Sequence, residues 1–111
     1  MAAHLDEVMS DARRALQVLE RHATVLAAFV FGSQVDGEAG PDSDTDLAVF
    51  VQGAEHWGIR ERVRVACMVQ REAGDHVEIH FFPAAELGGA EAASFAAYVQ
   101  QHGVRVPSSA P

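Results

Sequence analysis

The chain has 111 residues, 49% of them hydrophobic, and a formal net charge of −8 at pH 7. This length favours one domain with a small core of its own, and the acidic balance opposes direct binding to nucleic acid. No apolar run approaches the roughly 20 residues of a membrane span, and the single cysteine, Cys67, suits a reducing cytoplasm. We predict one domain over residues 1–106 and a disordered tail over residues 107–111.

The first two predicted elements are a helix and a buried strand. Apolar residues recur at helical spacing from Leu5 to Arg21, which predicts an amphipathic helix. Val25 to Phe31 is a continuous apolar run with β-branched and aromatic members, which is typical of a strand buried on both faces. This strand leads into Gly32 and Ser33. Glycine permits a sharp turn, and serine offers a hydroxyl and an N–H group to a phosphate.

A loop rich in glycine then leads to a second apolar strand, Leu47 to Val51. Asp44 and Asp46 stand where this strand begins, and alternation places their carboxylates on one face, with backbones roughly 6.6 Å apart. Asp42 and Ser43 suit a turn. Asp46, however, falls inside an apolar strand pattern, where an unpaired carboxylate is costly to bury. We therefore favour a cation site over a simple turn.

The second half of the chain adds two helices and two strands. Boundaries follow from glycine and proline positions, and the predicted elements are a helix Ala54–Ala73, a strand His76–Phe82, a helix Ala90–His102 and a short edge strand Val104–Val106. A strand, a helix and a strand in succession favour a parallel crossover. The starts of the second and third strands then lie at one end of the sheet, which brings Glu78 towards Asp44 and Asp46.

The long helix carries an apolar stripe and half of the arginines. The predicted stripe consists of Ile59, Val63, Ala66, Cys67 and Gln70, with Cys67 as a small buried hydrophobe. Four arginines lie on the same helix: Arg60, Arg62, Arg64 and Arg71. We interpret them as a solvated face and leave a binding patch as the alternative. On the third strand, we interpret His80 as a surface histidine, although it shares the face of Glu78.

The two-part acidic motif carries a family resemblance. Gly32-Ser33, ten intervening residues and Asp44-x-Asp46 between apolar strands resemble the signature of the DNA polymerase beta-type nucleotidyltransferase superfamily. The short chain is similar to the minimal nucleotidyltransferases, the MNT proteins often paired with HEPN-domain toxins. Together with the predicted elements, the resemblance implies an α/β (α+β) fold, with a small mixed sheet, helices packed on one face and an open groove on the other.

The resemblance also implies a reaction and its participants. Members transfer a nucleoside monophosphate, most often AMP from ATP, to a hydroxyl group. By resemblance, Asp44, Asp46 and Glu78 are the catalytic metal ligands for two Mg²⁺ ions, with Mn²⁺ as an alternative. Gly32 and Ser33 are the corresponding nucleotide-binding residues. Glutamate replaces the usual third aspartate, and it is longer by one methylene.

The sequence also leads to expectations about a partner protein and about an alternative function. The resemblance implies a HEPN-type toxin or another separately encoded helical protein as the acceptor of AMP, with this chain acting as antitoxin. The acidic surface suits a basic partner protein. Gln34 and Asp36, however, stand where the family often carries arginines. The alternative is therefore a weakly active or inactive binding module that neutralises its partner by contact.

Overall fold

Four strands form one sheet that carries three helices. The computed structural model describes residues 2–32, 44–89, 91 and 93–108. In chain order the elements are α1 (Ala2–Glu20), β1 (Val25–Phe31), β2 (Thr45–Val51), α2 (Ile59–Ala73), β3 (Val77–Pro83), α3 (Phe95–His102) and β4 (Val104–Arg105), with 3-10 turns at Ala54–His56 and Ala84–Glu86. Within the described ranges, no helix is both long enough and apolar enough to cross a membrane.

The sheet is mixed, as predicted. Its strand order is β3-β2-β1-β4. β1 pairs antiparallel with β2 and with β4, whereas β2 and β3 are parallel and are joined through α2. The predicted strands and the predicted parallel crossover are therefore confirmed, and so is the fold class.

One face of the sheet forms the larger core with α1 and α2. In each strand, every second residue points to this face. Those that are almost fully buried are Ala28, Val30, Leu47, Val49, Val51 and Val77. The helical spacing of α1 meets them with Val8, Ala12, Ala15, Leu16 and Leu19. Since the strand side chains alternate, the acidic positions of β2 and β3 must point to the opposite face.

The opposite face is not the fully open groove that we expected. Ala96 and Val99 of α3 pack there against Phe29 and Phe50, in a second buried cluster. Helix α3 begins at Phe95, later than the predicted Ala90, because Ser94 caps it by accepting a hydrogen bond from the Ala97 N–H at 3.1 Å. The helix is short, so it covers only part of this face.

The predicted helix over residues 54–73 is wrong in its first turn. Gly53 adopts a left-handed conformation with φ 85°, and a single 3-10 turn follows. Trp57 and Gly58 are then extended, and α2 begins only at Ile59. The interruption lets the Trp57 ring pack against Phe81, with ring centroids 5.4 Å apart. Burial of a large aromatic side chain here outweighs the helical propensity of the segment.

The predicted apolar stripe of this helix is also wrong. Val65, Val69 and Ala73 are the buried residues of α2, whereas Ile59 is 75% exposed and Val63 is 53% exposed. Cys67, predicted as buried, is exposed as well. The predicted stripe and the observed buried residues both have helical spacing, and contact with the sheet determines which of the two sets is buried.

Arg62 belongs to the structure of the sheet edge rather than to a solvated face. Its guanidinium donates to the carbonyl oxygens of Phe81 at 3.0 Å, Ala54 at 3.1 Å and Trp57 at 3.4 Å. The Gln70 side chain donates to the Val77 carbonyl at 3.1 Å. β3 is an edge strand, so these two side chains occupy backbone acceptors that would otherwise invite pairing with another chain.

β4 and the residue after it form hydrogen bonds along the outer edge of β1. β4 pairs with β1, and the Val106 N–H donates to the Ala28 carbonyl at 2.8 Å. In the predicted tail, the Ser108 hydroxyl donates to the Glu20 carboxylate of α1. Residues 109–111, the rest of that tail, lie outside the described residues.

The role of Arg62 predicts a loss of stability on conservative replacement. Arg62→Lys keeps the charge but cannot reproduce a planar fork that reaches three carbonyl groups. We expect the free energy of unfolding to fall by about 1–3 kcal/mol, measured by urea denaturation. Arg60→Lys, at an exposed position of the same helix, is the matched control and should change little. Equal stability of the two variants would contradict this role.

Candidate active site

Three strands bring the site together in one row. Phe31 of β1 pairs with Asp46 of β2, and Asp46 pairs with Glu78 of β3. Neighbouring strands are roughly 4.8 Å apart, so the two acidic residues are direct neighbours across the sheet. Both point to the face that carries α3. The sequence-based expectation that Glu78 approaches Asp46 agrees with this geometry, while its role as a ligand stays a prediction.

Asp46, Glu78 and His80 form a compact cluster of metal-ligand types. One ligand atom from each lies within 4.8 Å of the other two. His80 Nε2 lies 3.1 Å from Asp46 Oδ1. The side chains of Asp46 and His80 are 27% and 28% exposed, whereas Glu78 is exposed. The cluster is therefore anchored in the sheet and open to solvent on one side.

Gly32 closes the other side of the Asp46 carboxylate. It follows β1 directly and has φ 85°, which side chains other than glycine rarely tolerate. A Cβ atom at this position would lie 2.7 Å from Asp46 Oδ2. Only glycine lets the backbone approach the carboxylate this closely, which explains the glycine of the motif in physical terms.

The remaining predicted site residues have different positions. Asp44 immediately precedes β2 and is exposed. Within the described part of the chain, it does not belong to the cluster of Asp46, Glu78 and His80. Ser33, Gln34 and Asp36 lie outside the described residues. The structure thus brings together two of the three predicted carboxylates, beside Gly32.

His80 is the site residue that the sequence reasoning underestimated. We interpreted it as a surface histidine, yet its ring packs edge-on against Phe31 at 5.1 Å and lies 6.0 Å from Phe95. The signal was present in the strand pattern, because residues 78 and 80 share a face. What the pattern could not supply was the contact with Asp46 from a different strand.

A surface cavity adjoins the cluster at the β3 edge. It has a volume of ≈ 370 Å³, and its lining includes Arg62 and Val63 of α2, His80 and Phe82 of β3, and Phe95 of α3. His80 belongs both to this cavity and to the acidic cluster. A molecule in the cavity would therefore approach the site from the β3 side.

The donor set fits a divalent cation. Carboxylate oxygens are the ligands that Mg²⁺ and Mn²⁺ prefer, and imidazole nitrogen adds a further donor. Two carboxylates close together also repel one another until a cation binds between them. The side chains that could hold such an ion are Asp46, Glu78 and His80, with Asp44 at the exposed rim.

The sequence and the fold of the chain are similar to those of known proteins. A family model described as polymerase beta, nucleotidyltransferase matches residues 14–91. Among solved structures, the chain is similar to a candidate nucleotidyltransferase from Sulfolobus solfataricus, with a TM-score of 0.62 and 17% sequence identity. The match covers 78% of this chain and 77% of the other, and at this identity it concerns the fold. No curated protein matches the sequence significantly.

The contact between Gly32 and Asp46 can be tested with a matched pair of glycine variants. Gly32 and Gly53 both have φ 85°, but a Cβ atom at Gly53 would meet nothing within 4 Å. Gly32→Ala and Gly53→Ala should each lose about 1–3 kcal/mol of unfolding free energy through backbone strain. Only Gly32→Ala should displace the Asp46 carboxylate and shift the His80 ring resonances in NMR spectra. Unchanged His80 resonances in Gly32→Ala would contradict the close approach.

Proposed function

The chain belongs to the polymerase beta nucleotidyltransferase family, and on that premise we propose that it transfers AMP from ATP to a hydroxyl group with the help of bound divalent cations. The observation that carries the proposal is the in-register pairing of Asp46 with Glu78, beside the close approach of Gly32. Nucleotidyl transfer depends on carboxylates placed together where phosphate oxygens and an attacking hydroxyl meet, and the neighbouring positions of Asp46 and Glu78 support this role.

The proposed ligands are Asp44, Asp46 and Glu78, and the proposed ion is Mg²⁺ or Mn²⁺. When bound, two such ions neutralise the phosphate charge and assist the attacking hydroxyl. Asp46 is the central ligand, because it contacts both His80 and the Gly32 turn. We expect Asp44, which is exposed directly before β2, to bind the cations as a further ligand.

The other residues of the motif bind and orient the substrate. Gly32 and Ser33 offer backbone N–H groups and a hydroxyl to the outgoing pyrophosphate. Glu78 is exposed at the start of β3, so it can accept a proton from an incoming hydroxyl that approaches from solvent. Phe31 lies 5.3 Å from Phe95, and together they form an apolar wall beside the carboxylates, which strengthens electrostatic interactions there.

We further propose that the hydroxyl belongs to a partner protein, namely a HEPN-type toxin, and that a tyrosine is the acceptor. The cavity at the β3 edge supports this, since its aromatic and aliphatic lining suits a phenol side chain and His80 connects it to the cluster. Asp and Glu outnumber Lys and Arg by 16 to 8, which favours a basic partner. Modification of the toxin would make this chain an antitoxin.

A contact-only antitoxin is the second candidate function. Gln34 and Asp36 occupy positions where related proteins often have arginines, so positive charge for the triphosphate is reduced. A chain that binds ATP weakly could still cover a partner surface. Its exposed apolar residues, Ile59, Val63, Phe95 and Tyr98, are compatible with such an interface.

Loss of the central carboxylate should abolish transfer. Asp46→Asn removes the charge of the residue that links β2, His80 and the Gly32 turn, and we expect AMP transfer to fall by at least about 100-fold. The measurement is incorporation of label from α-labelled ATP, with Mg²⁺ or Mn²⁺ and the product of the neighbouring gene. Asp75→Asn, an exposed turn residue with the same change in charge, is the control. Equal activity of both variants would place the chemistry elsewhere.

The partner proposal is tested by intact mass analysis of the co-expressed proteins. We expect the partner to gain the mass of one or more AMP groups, on a tyrosine, only when the parent chain is present. Asp44→Ala should leave the partner unmodified and toxic. An unmodified partner that both the parent chain and Asp44→Ala neutralise would establish the contact-only function instead.

A further inference from the structure

His80 is held in place by packing and aimed at a carboxylate. Its ring packs edge-on against both Phe31 and Phe95, with centroid distances of 5.1 and 6.0 Å. Its Nε2 atom faces Asp46 Oδ1 at 3.1 Å. Rotation of the ring away from Asp46 would disturb both aromatic contacts, so the nitrogen is directed at the site before any ligand arrives.

The distance between these two atoms suits a shared cation as well as it suits a hydrogen bond. Two ligand atoms about 2.1 Å from one ion and at a right angle to each other lie about 3 Å apart. The observed separation is 3.1 Å. The Glu78 carboxylate provides a third ligand atom, within 4.8 Å of the other two. A small movement of this exposed side chain can complete the set.

From this geometry we infer that His80 is a metal ligand and that it gives the site a preference for Mn²⁺ over Mg²⁺. The inference rests on the proposed metal-dependent function, and it deepens that function by naming the cation. An all-carboxylate site would have only oxygen donors. In this chain one donor is the nitrogen of an imidazole, contributed by the same strand face as Glu78.

The preference follows from the chemistry of the ions. Mg²⁺ is a small, hard cation that is bound through oxygen and retains several water molecules. Imidazole nitrogen is a softer donor, which a first-row transition ion accepts more readily than Mg²⁺ does, and Mn²⁺ is the ion of that series that also suits carboxylate oxygens. Replacing an oxygen ligand or a water by His80 therefore favours Mn²⁺ relative to Mg²⁺.

The main rival is that His80 only orients the Asp46 carboxylate. A hydrogen bond from the ring to Asp46 would also hold the carboxylate in place. The variant His80→Gln separates the two roles, because a glutamine amide can still donate to Asp46 but offers no imidazole nitrogen. A positioning role would weaken Mn²⁺ and Mg²⁺ binding equally, whereas a ligand role would weaken Mn²⁺ binding more.

His76 supplies a matched control. Its Nε2 atom lies 3.0 Å from Asp11 Oδ2, so it is also a histidine paired with an aspartate. Asp11 belongs to α1, which packs on the other face of the sheet. His76→Gln therefore makes the same chemical change away from the cluster.

The experiment measures binding of Mn²⁺ by electron paramagnetic resonance, and binding of Mg²⁺ by competition. We expect His80→Gln to lower Mn²⁺ affinity by about tenfold or more and Mg²⁺ affinity by less than about threefold, while His76→Gln changes neither. Pulsed spectra of Mn²⁺ bound to the parent chain should show coupling to a nitrogen nucleus, and His80→Gln should abolish that coupling.

Absence of nitrogen coupling in the parent chain would overturn the inference, and this measurement does not depend on the folding of any variant. Equal losses of Mn²⁺ and Mg²⁺ affinity in a folded His80→Gln would overturn it as well. These results are distinguishable from failure of the proposed function. Nitrogen coupling without AMP transfer would reject the proposed transferase function and retain His80 as a metal ligand. AMP transfer without nitrogen coupling would retain the transferase function and reject His80 as a ligand.

Discussion

The parallel pairing of β2 with β3 is the constraint on which the site depends. It sets Asp46 directly opposite Glu78, and alternation then adds His80 to the same face. A slip of one residue in β3 would turn Glu78 and His80 towards the core formed with α1 and α2, where burial of a carboxylate would be costly. Burial of Val77 on that core, at 1% exposure, opposes such a slip.

The two faces of the sheet differ in their cores and in how fully helices cover them. The face covered by α1 and α2 is aliphatic and contains the larger core. The other face has an aromatic cluster around Phe29 and Phe50, partly covered by the short helix α3. Because α3 spans only eight residues, the row of Asp46 and Glu78 stays accessible beside it. The site thus lies where the second core ends.

Arginines of this acidic chain bind carbonyl and carboxylate groups within the protein. Arg62 is bound to three carbonyl oxygens, and Arg21 forms an ion pair with Glu72 at 2.8 Å. Arg64 donates two hydrogen bonds to Glu61, and these bonds hold the pKa of that carboxyl below its usual range. Two of the four α2 arginines, Arg62 and Arg64, thus already have partners within the protein, which weakens the alternative that these arginines form a binding patch.

The sequence alone determined the strands, the acidic motif and the approach of Glu78 to Asp46. Apolar runs of five and seven residues, the period of two and the handedness of a strand, helix and strand unit are local or nearly local properties. Tertiary structure decided the buried face of α2, the position of α3 and the contact between His80 and Asp46. The sequence analysis predicted a stripe through Ile59 and Val63, whereas contact with the sheet buries Val65 and Val69 instead. The role of His80 depended on the same kind of information, because its partner lies 34 residues away on another strand.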